Sequence, residues 1–295
     1  MMGAEMLDAK ILDAQLKKHK LSAVAKKINA AAQNSICISA KKADEKSIPV
    51  GASKIGGRPD VEVGFKWPEW KGAPMSFLAQ FDLKEVSRLD NEGLLPKEGR
   101  LLFFSDSTDT TFGFDPKDSG GWLVHYIADP KAKLKRVSPP KAFDEWHTYT
   151  ACKLTFRKEL TIPPGMSFAE AKLEFTESQK HHYTDLGSEL GTERQVKGGR
   201  LHQLLGHPFQ IQTDMAVMSN FCTNGIYMGD GDPFNDPRAR ELVHGSTEWR
   251  LLFQLDTDSE AKMQWSDAGM LYFWLKKDDL KNKAFDKGWF CLQCS

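Results

Sequence analysis

Apolar and polar side chains take turns along residues 77–83. Phe77, Ala79, Phe81 and Leu83 share one face of an extended segment, and Gln80 and Asp82 lie on the other. The pattern returns at 251–256, where Leu251, Phe253 and Leu255 oppose Gln254 and Asp256. Each run leads through a loop to a glycine and a continuous apolar stretch, Gly99-Arg100-Leu101-Leu102-Phe103-Phe104 in one case and Gly269-Met270-Leu271-Tyr272-Phe273-Trp274 in the other. Each is preceded by a Gly-x-Pro turn, Gly57-Arg58-Pro59 and Gly206-His207-Pro208. Three matched blocks in one order predict an internal duplication. Further strands are expected at 35–38, 122–127, 148–156 and 288–293.

Helical spacing governs the N-terminus. Leu7, Ile11, Leu12 and Leu16 predict a helix over 4–18, ending in Lys17 and Lys18, which suit its dipole. Leu21, Val24, Ala25 and Ile28 predict a second over 22–33, with Ser22 as its N-cap. After the break at Pro163-Pro164, Ser167 and Glu170 form a capping box. Tyr183, Leu186 and Leu190 continue at helical spacing to a stop at Gly191, and 191–200 reads as an exposed connection. Pro208 and Gln254 are 46 positions apart against 21 for Pro59 and Gln80, which places an excess of 25 in 209–249. Within it, Asp236-Pro237 starts a short helix that Gly245 ends. The expected organisation is an N-terminal helical hairpin and strand (1–49), a first repeat half (50–165), a helical connection (166–200) and a second repeat half (201–295), in one compact unit. Helices segregated from mostly antiparallel strands make the fold class α+β.

At 295 residues, with 8 Trp and 18 Phe, the chain has ample material for a core. Forty basic and forty acidic residues balance to zero, which argues against nucleic acid or an anionic membrane as partner. The basic bias of the first thirty residues, six Lys against three acids, follows from two amphipathic helices. No run approaches the ~20 apolar residues that span a bilayer, and Glu5, Asp8 and Asp13 are foreign to a signal peptide. Five cysteines, an odd number, fit reduced thiols and a cytoplasmic location.

The repeated amides and acids are the leading candidate site. If the halves pair about a pseudo-twofold, Gln80, Asp82, Gln254 and Asp256 converge on one cleft, with Asp267 as a further acid. The competing reading has each Gln satisfying a neighbouring backbone and each Asp capping a turn. The acids of Gly229–Asp236 lack the alternation and closing Glu of a calcium loop, and Asp236 serves better as an N-cap. Asp106, Asp109, Asp115 and Asp118 are explained by turn chemistry. Cys291 and Cys294 form a lone C-x-x-C with no partner pair for zinc. A Cys222 pair with His202 or His207 lacks an orienting third group. No metal or cofactor is expected.

Several blocks together resemble the YwqG-like family, a domain of unknown function. They begin with Lys54-Ile55-Gly56-Gly57-Arg58-Pro59-Asp60, Met75–Asp82, Gly99–Phe104, Phe112-Gly113-Phe114-Asp115-Pro116 and Gly120-Gly121-Trp122. The second half adds His202–Pro208, Asn235–Ala239, Trp249–Asp256, Trp265–Gly269 and Leu271–Trp274. The resemblance spans about 54–295. It implies a duplicated α+β fold and carries over no catalytic residue.

Two functions from different classes remain. One is a non-catalytic binding or interaction module, taking a small polar ligand or a protein partner in a cleft between the halves. The other is a hydrolase-type enzyme using Asp82 and Asp256 there.

Overall fold

A computed structural model describes residues 7–108, 110–141, 148–196 and 200–294. Its strands are β1 (Gln33–Lys42), β2 (Lys54–Ile55), β3 (Asp60–Glu62), β4 (Glu69–Trp70), β5 (Ala73–Pro74), β6 (Ser76–Asp82), β7 (Arg100–Ser105), β8 (Trp122–Ile127), β9 (Leu134–Arg136), β10 (Cys152–Thr161), β11 (Gln203–Leu204), β12 (Trp249–Asp256), β13 (Met270–Lys276) and β14 (Trp289–Gln293). The helices are α1 (Ala9–Lys18), α2 (Ala25–Ala31), α3 (Leu83–Val86), α4 (Phe168–Ala171), α5 (Glu177–Val196), α6 (Met215–Thr223), α7 (Ala239–Gly245) and α8 (Lys277–Lys281).

Ten strands form one antiparallel sheet in the order β14-β13-β12-β11-β1-β10-β2-β6-β7-β8. The order reads alike from both ends, with β1 and β10 paired at the middle over their full lengths, Gln33 against Thr161 through Lys42 against Cys152. The arms agree in detail. Lys54 sits opposite Gln80, and Gln203 opposite Gln254. One register shift falls between Phe77 and Ala79, the other between Leu251 and Phe253. These bulges turn both strands at the same point of the repeated pattern.

The sheet curls until its ends nearly meet, an almost closed barrel. Trp122 of β8 and Trp289 of β14 stack edge to face with centroids 4.9 Å apart. The Trp289 indole N–H donates to the Gly113 carbonyl (2.7 Å), and the Leu292 N–H to that of Phe112 (2.9 Å), so the 112–114 segment seals the seam. Gly113 has φ +86, and a Cβ there would strike the Phe290 carbonyl oxygen, so only glycine lets the chain lie this close.

The interior is aromatic. Phe81 of one arm and Phe253 of the other pack at 5.0 Å, and Phe103 lies 4.8 Å from Phe253 and 5.0 Å from Phe273. The outer face of the first arm is covered by the ribbons β3–β9 and β4–β5 over Phe77, Leu102 and Phe104. The second arm is covered by α6, whose Asn220 accepts from the Trp249 indole N–H (3.0 Å). The 209–249 excess is this helical cladding.

α1, α2 and α5 share a separate apolar cluster that includes Leu12, Leu16, Ile28, Tyr183 and Leu186. Several expected boundaries move. Residues 4–6 of the first helix and Asp109 lie outside the described residues. Ser22 does not cap the second helix but begins a 3-10 turn before Ala25. The short strand expected at 35–38 is the ten-residue centre of the sheet. Gly191 does not stop its helix, which runs on to Val196, because its missing side chain makes room for the Phe209 ring. Ser167 caps α4 as expected, its hydroxyl accepting from the Glu170 N–H (3.0 Å).

Phe253→Ala is expected to cost about 3–5 kcal/mol, since truncating a fully buried aromatic leaves a cavity in a packed interior. Urea unfolding measures it against Val63→Ala, an exposed side chain whose loss leaves the midpoint within error.

Candidate functional site

The two glutamines clamp turns. Gln80 Oε1 accepts the Asp60 N–H (2.9 Å), and its Nε2 donates to the Ala52 carbonyl (2.8 Å). Gln254 Oε1 accepts the Phe209 N–H (2.8 Å), and its Nε2 donates to the Leu201 carbonyl (2.5 Å). Each amide thus ties together the chain on both sides of its own Gly-x-Pro turn. Asp82 accepts from the Lys84 N–H and caps α3. Asp256 Oδ2 accepts from the Leu201 N–H (2.9 Å), and burial raises its pKa. Asp267 is exposed between Trp265 and Gly269.

The expected convergence of these groups is corrected by the geometry. The faces that meet across the interior are those of Phe81 and Phe253. Side chains alternate, so Gln80, Asp82, Gln254 and Asp256 project outward, and β11, β1, β10 and β2 separate the two strands that carry them. Aromatic area takes the interior because it gains most by leaving water, whereas buried carboxylates need paired donors.

Sequence reasoning missed a buried ionic cluster beside Gln80. Lys54 and Asp60 are both fully buried, with Nζ 3.0 Å from Oδ2. Arg136 adds Nε at 2.7 Å and Nη2 at 3.1 Å, and Gly51 N–H adds a bond of 2.9 Å. Burial works to raise the Asp60 pKa, but the donors of Arg136, Gly51 and Lys54 outweigh it and hold the carboxyl below its usual range. Burial pulls Lys54 down to about 8, against the opposing attraction of Asp60. The corresponding places in the second arm hold Gln203 and Phe209. That contrast between otherwise matched blocks was the available signal.

His202 is likewise committed. Its Nδ1 accepts the Asp256 N–H (3.0 Å), and its Nε2 faces Asp258 Oδ2 (3.1 Å). His207 directs Nε2 to the Ala31 carbonyl (2.8 Å). Neither histidine ring is directed at Cys222, whose thiol burial pushes up to about 12, helped by Asp118 and Asp115. Asp106, Asp118, Asp232 and Asp236 accept backbone N–H groups of their own loops. Cys291 is a buried free thiol 3.8 Å from Ser219 Oγ, and Cys294 is also free. Among the described residues, no three His, Cys, Asp or Glu side chains are grouped to hold a metal.

The structure offers a different site. A cavity of ≈ 370 Å³ lies over the outer face of the central strands. Its floor is polar: Ser39 of β1, Arg157 and Glu159 of β10, and Gln203 of β11. These share one face because Ile38 and Phe156, one residue along, face inward. One wall is α5, presenting Thr184, Gly187, Ser188 and Gly191. A Cβ on Gly187 would meet nothing within 4 Å, so the helix leaves the space open there. Leu7, Ile11, Ile162 and Phe209 supply apolar walls, and Met166, 86% exposed, stands at the rim. The volume is within the ~300–1,000 Å³ of small-molecule sites.

The molecule is thus an α+β protein built on one nearly closed antiparallel sheet, with a mixed polar and apolar cavity on its outside. The chain belongs to the family described as a domain of unknown function, DUF1963, whose profile matches residues 53–294. No curated protein matches the chain. No helix among the described residues is long and apolar enough to cross a membrane.

His207 borders the cavity with its pKa lowered to about 4, chiefly by burial and further by Arg250, against the contact with Ala31. The folded chain therefore binds fewer protons at this ring than the unfolded chain does. The stability this confers is complete above pH 6.5 and lost as pH falls through about 4. Denaturation between pH 7 and 4 should show a steeper decline for the native chain than for His207→Gln, which keeps a donor for Ala31. Equal slopes would mean that His207 titrates normally.

Proposed function

We propose that the chain is a non-catalytic binding protein whose small-molecule ligand occupies the cavity over the central strands. The observation that carries this reading is the open space at Gly187, where a 20-residue helix crosses a polar sheet face without filling it. Alanine there would stabilise the helix by about 1 kcal/mol, so the gap comes at a cost in stability. The cavity also sits where the first half, the connecting helix and the second half join, which keeps the expectation of a site between halves while moving its residues. The reading takes the halves as an internal duplication, supported by their matching bulges and glutamine clamps, and takes the chain as YwqG-like and cytoplasmic. Gln80, Asp82, Gln254 and Asp256 then act as the structural frame of the two turns.

A neutral probe of matching size, 4-phenylbutan-1-ol, tests this. It should bind saturably by ligand-observed NMR and raise the unfolding temperature of the native chain. Gly187→Leu, which fills the space, should abolish binding while leaving the fold as stable or more so. Binding unchanged in Gly187→Leu would remove the cavity as the site.

A further inference from the structure

Arg157 lies on the cavity floor with most of its hydrogen-bonding capacity unspent. It is half-buried on β10, and among the described residues its one hydrogen bond runs from Nη1 to Ser39 Oγ at 3.0 Å. The other partly buried arginines vary: Arg100 also makes a single bond, to the Gly51 carbonyl, whereas Arg136 is saturated. Arg136 spends three nitrogens on Asp60 and the carbonyls of Glu45, Ile48 and Pro49, and Arg58 donates to Glu45. A guanidinium carries five N–H donors in a rigid fork, and removing it from water without acceptors is costly. The fork matches a planar oxyanion bidentately.

The rest of the cavity narrows the class of anion. Among the described residues that line it, Arg157 is the one arginine or lysine, so a doubly charged group such as phosphate would find a single cation there. His207 supplies no second cation near neutral pH, because its ring stays unprotonated down to about 4. Its Nε2–H is spent on the Ala31 carbonyl. Leu7, Ile11, Ile162 and Phe209 give the cavity an apolar side. At roughly 30 Å³ per small group, the space holds about a dozen non-hydrogen atoms. We propose that the ligand is a small amphipathic monocarboxylate, its carboxylate received by Arg157 beside Ser39 and its apolar body lying against Ile11, Ile162 and Phe209.

This inference rests on the reading of the cavity as a ligand site, and a matched series separates the two. The probes are 4-phenylbutanoate, 4-phenylbutanamide, 4-phenylbutan-1-ol and 3-phenylpropyl phosphate, measured by calorimetry or NMR titration on the full chain at pH 7. The carboxylate should bind at least tenfold more tightly than the amide, the alcohol and the phosphate. Arg157→Gln should erase the carboxylate's advantage while leaving alcohol binding unchanged, which also shows that the variant is folded. Arg157→Lys, which keeps the charge but loses the fork, should restore only part of it. Equal affinity for carboxylate and amide, or tighter binding of the phosphate, would overturn the assignment while alcohol binding upheld the cavity. Failure of all four probes to bind would overturn both.

Discussion

Two sheet arms with aromatic inner faces have one economical way to leave water, which is to close on each other. Phe81, Phe103, Phe253, Phe273 and Phe290 meet in the interior, and the rest of the architecture follows from that packing. Because strand side chains alternate, filling the inside with aromatic rings sends the repeated glutamines and aspartates outward. There they find their partners in the turn beside them rather than across the molecule. The outer surfaces need covering in turn, by short ribbons on one arm and by helices on the other. Over the middle of the sheet the exposed face is polar, and the helix that crosses it carries glycines where larger residues would close the gap.

The two arms also solve one local problem by different chemistry. In the first, the residues around the turn carry charge: Lys54, Asp60 and Arg136 form a buried cluster in which each ion is satisfied. In the second, Gln203 and Phe209 hold the corresponding places, with Gln203 donating to the carbonyls of Leu205 and His207. A buried ion pair repays its desolvation only when geometry and hydrogen bonds are complete, and an apolar substitute is often as stable. The cluster is therefore one of two workable ways to hold a Gly-x-Pro turn against a sheet. Lys54 and Asp60 are fully buried, and through Arg136 the cluster ties the turn to β9.

Period and punctuation made much of this legible from sequence. The alternation at 77–83 and 251–256 placed two strands, and the apolar runs after Gly99 and Gly269 placed their neighbours. Strict alternation puts Phe77 on the face of Ala79 and Phe81, but the bulge before Ala79 turns it to the outer side. Alternation does not say which face turns inward when a sheet closes, so the same pattern suggested a polar cleft where an aromatic interior lies. β1 was underestimated because Gln33 falls in the span expected for the preceding helix and Asn34, Lys41 and Lys42 are polar, and only its pairing with β10 makes them strand. Gly191 looked like a helix stop because the ring that needs its space, Phe209, comes later in the chain. Arg157 carried no local signal, since its neighbours Ser39, Gly187 and Gln203 are brought to it by three other elements.

β1 hydrogen-bonds to β10 on one side and to β11 on the other, and so joins the two arms. It also precedes both of its partners in the chain. At synthesis rates of about 5–20 residues per second, residues 33–42 wait on the order of ten seconds for residues 152–161, and longer for residues 203–204. Until then the central strand of the finished sheet has two open edges, the condition under which chains pair with the wrong neighbour. Its ends, two amides at one and two lysines at the other, are the kind of residues that keep such an edge in water. The polar margins that hid this strand in the sequence are thus of the kind that hold an open edge in water in the interval before its partners arrive.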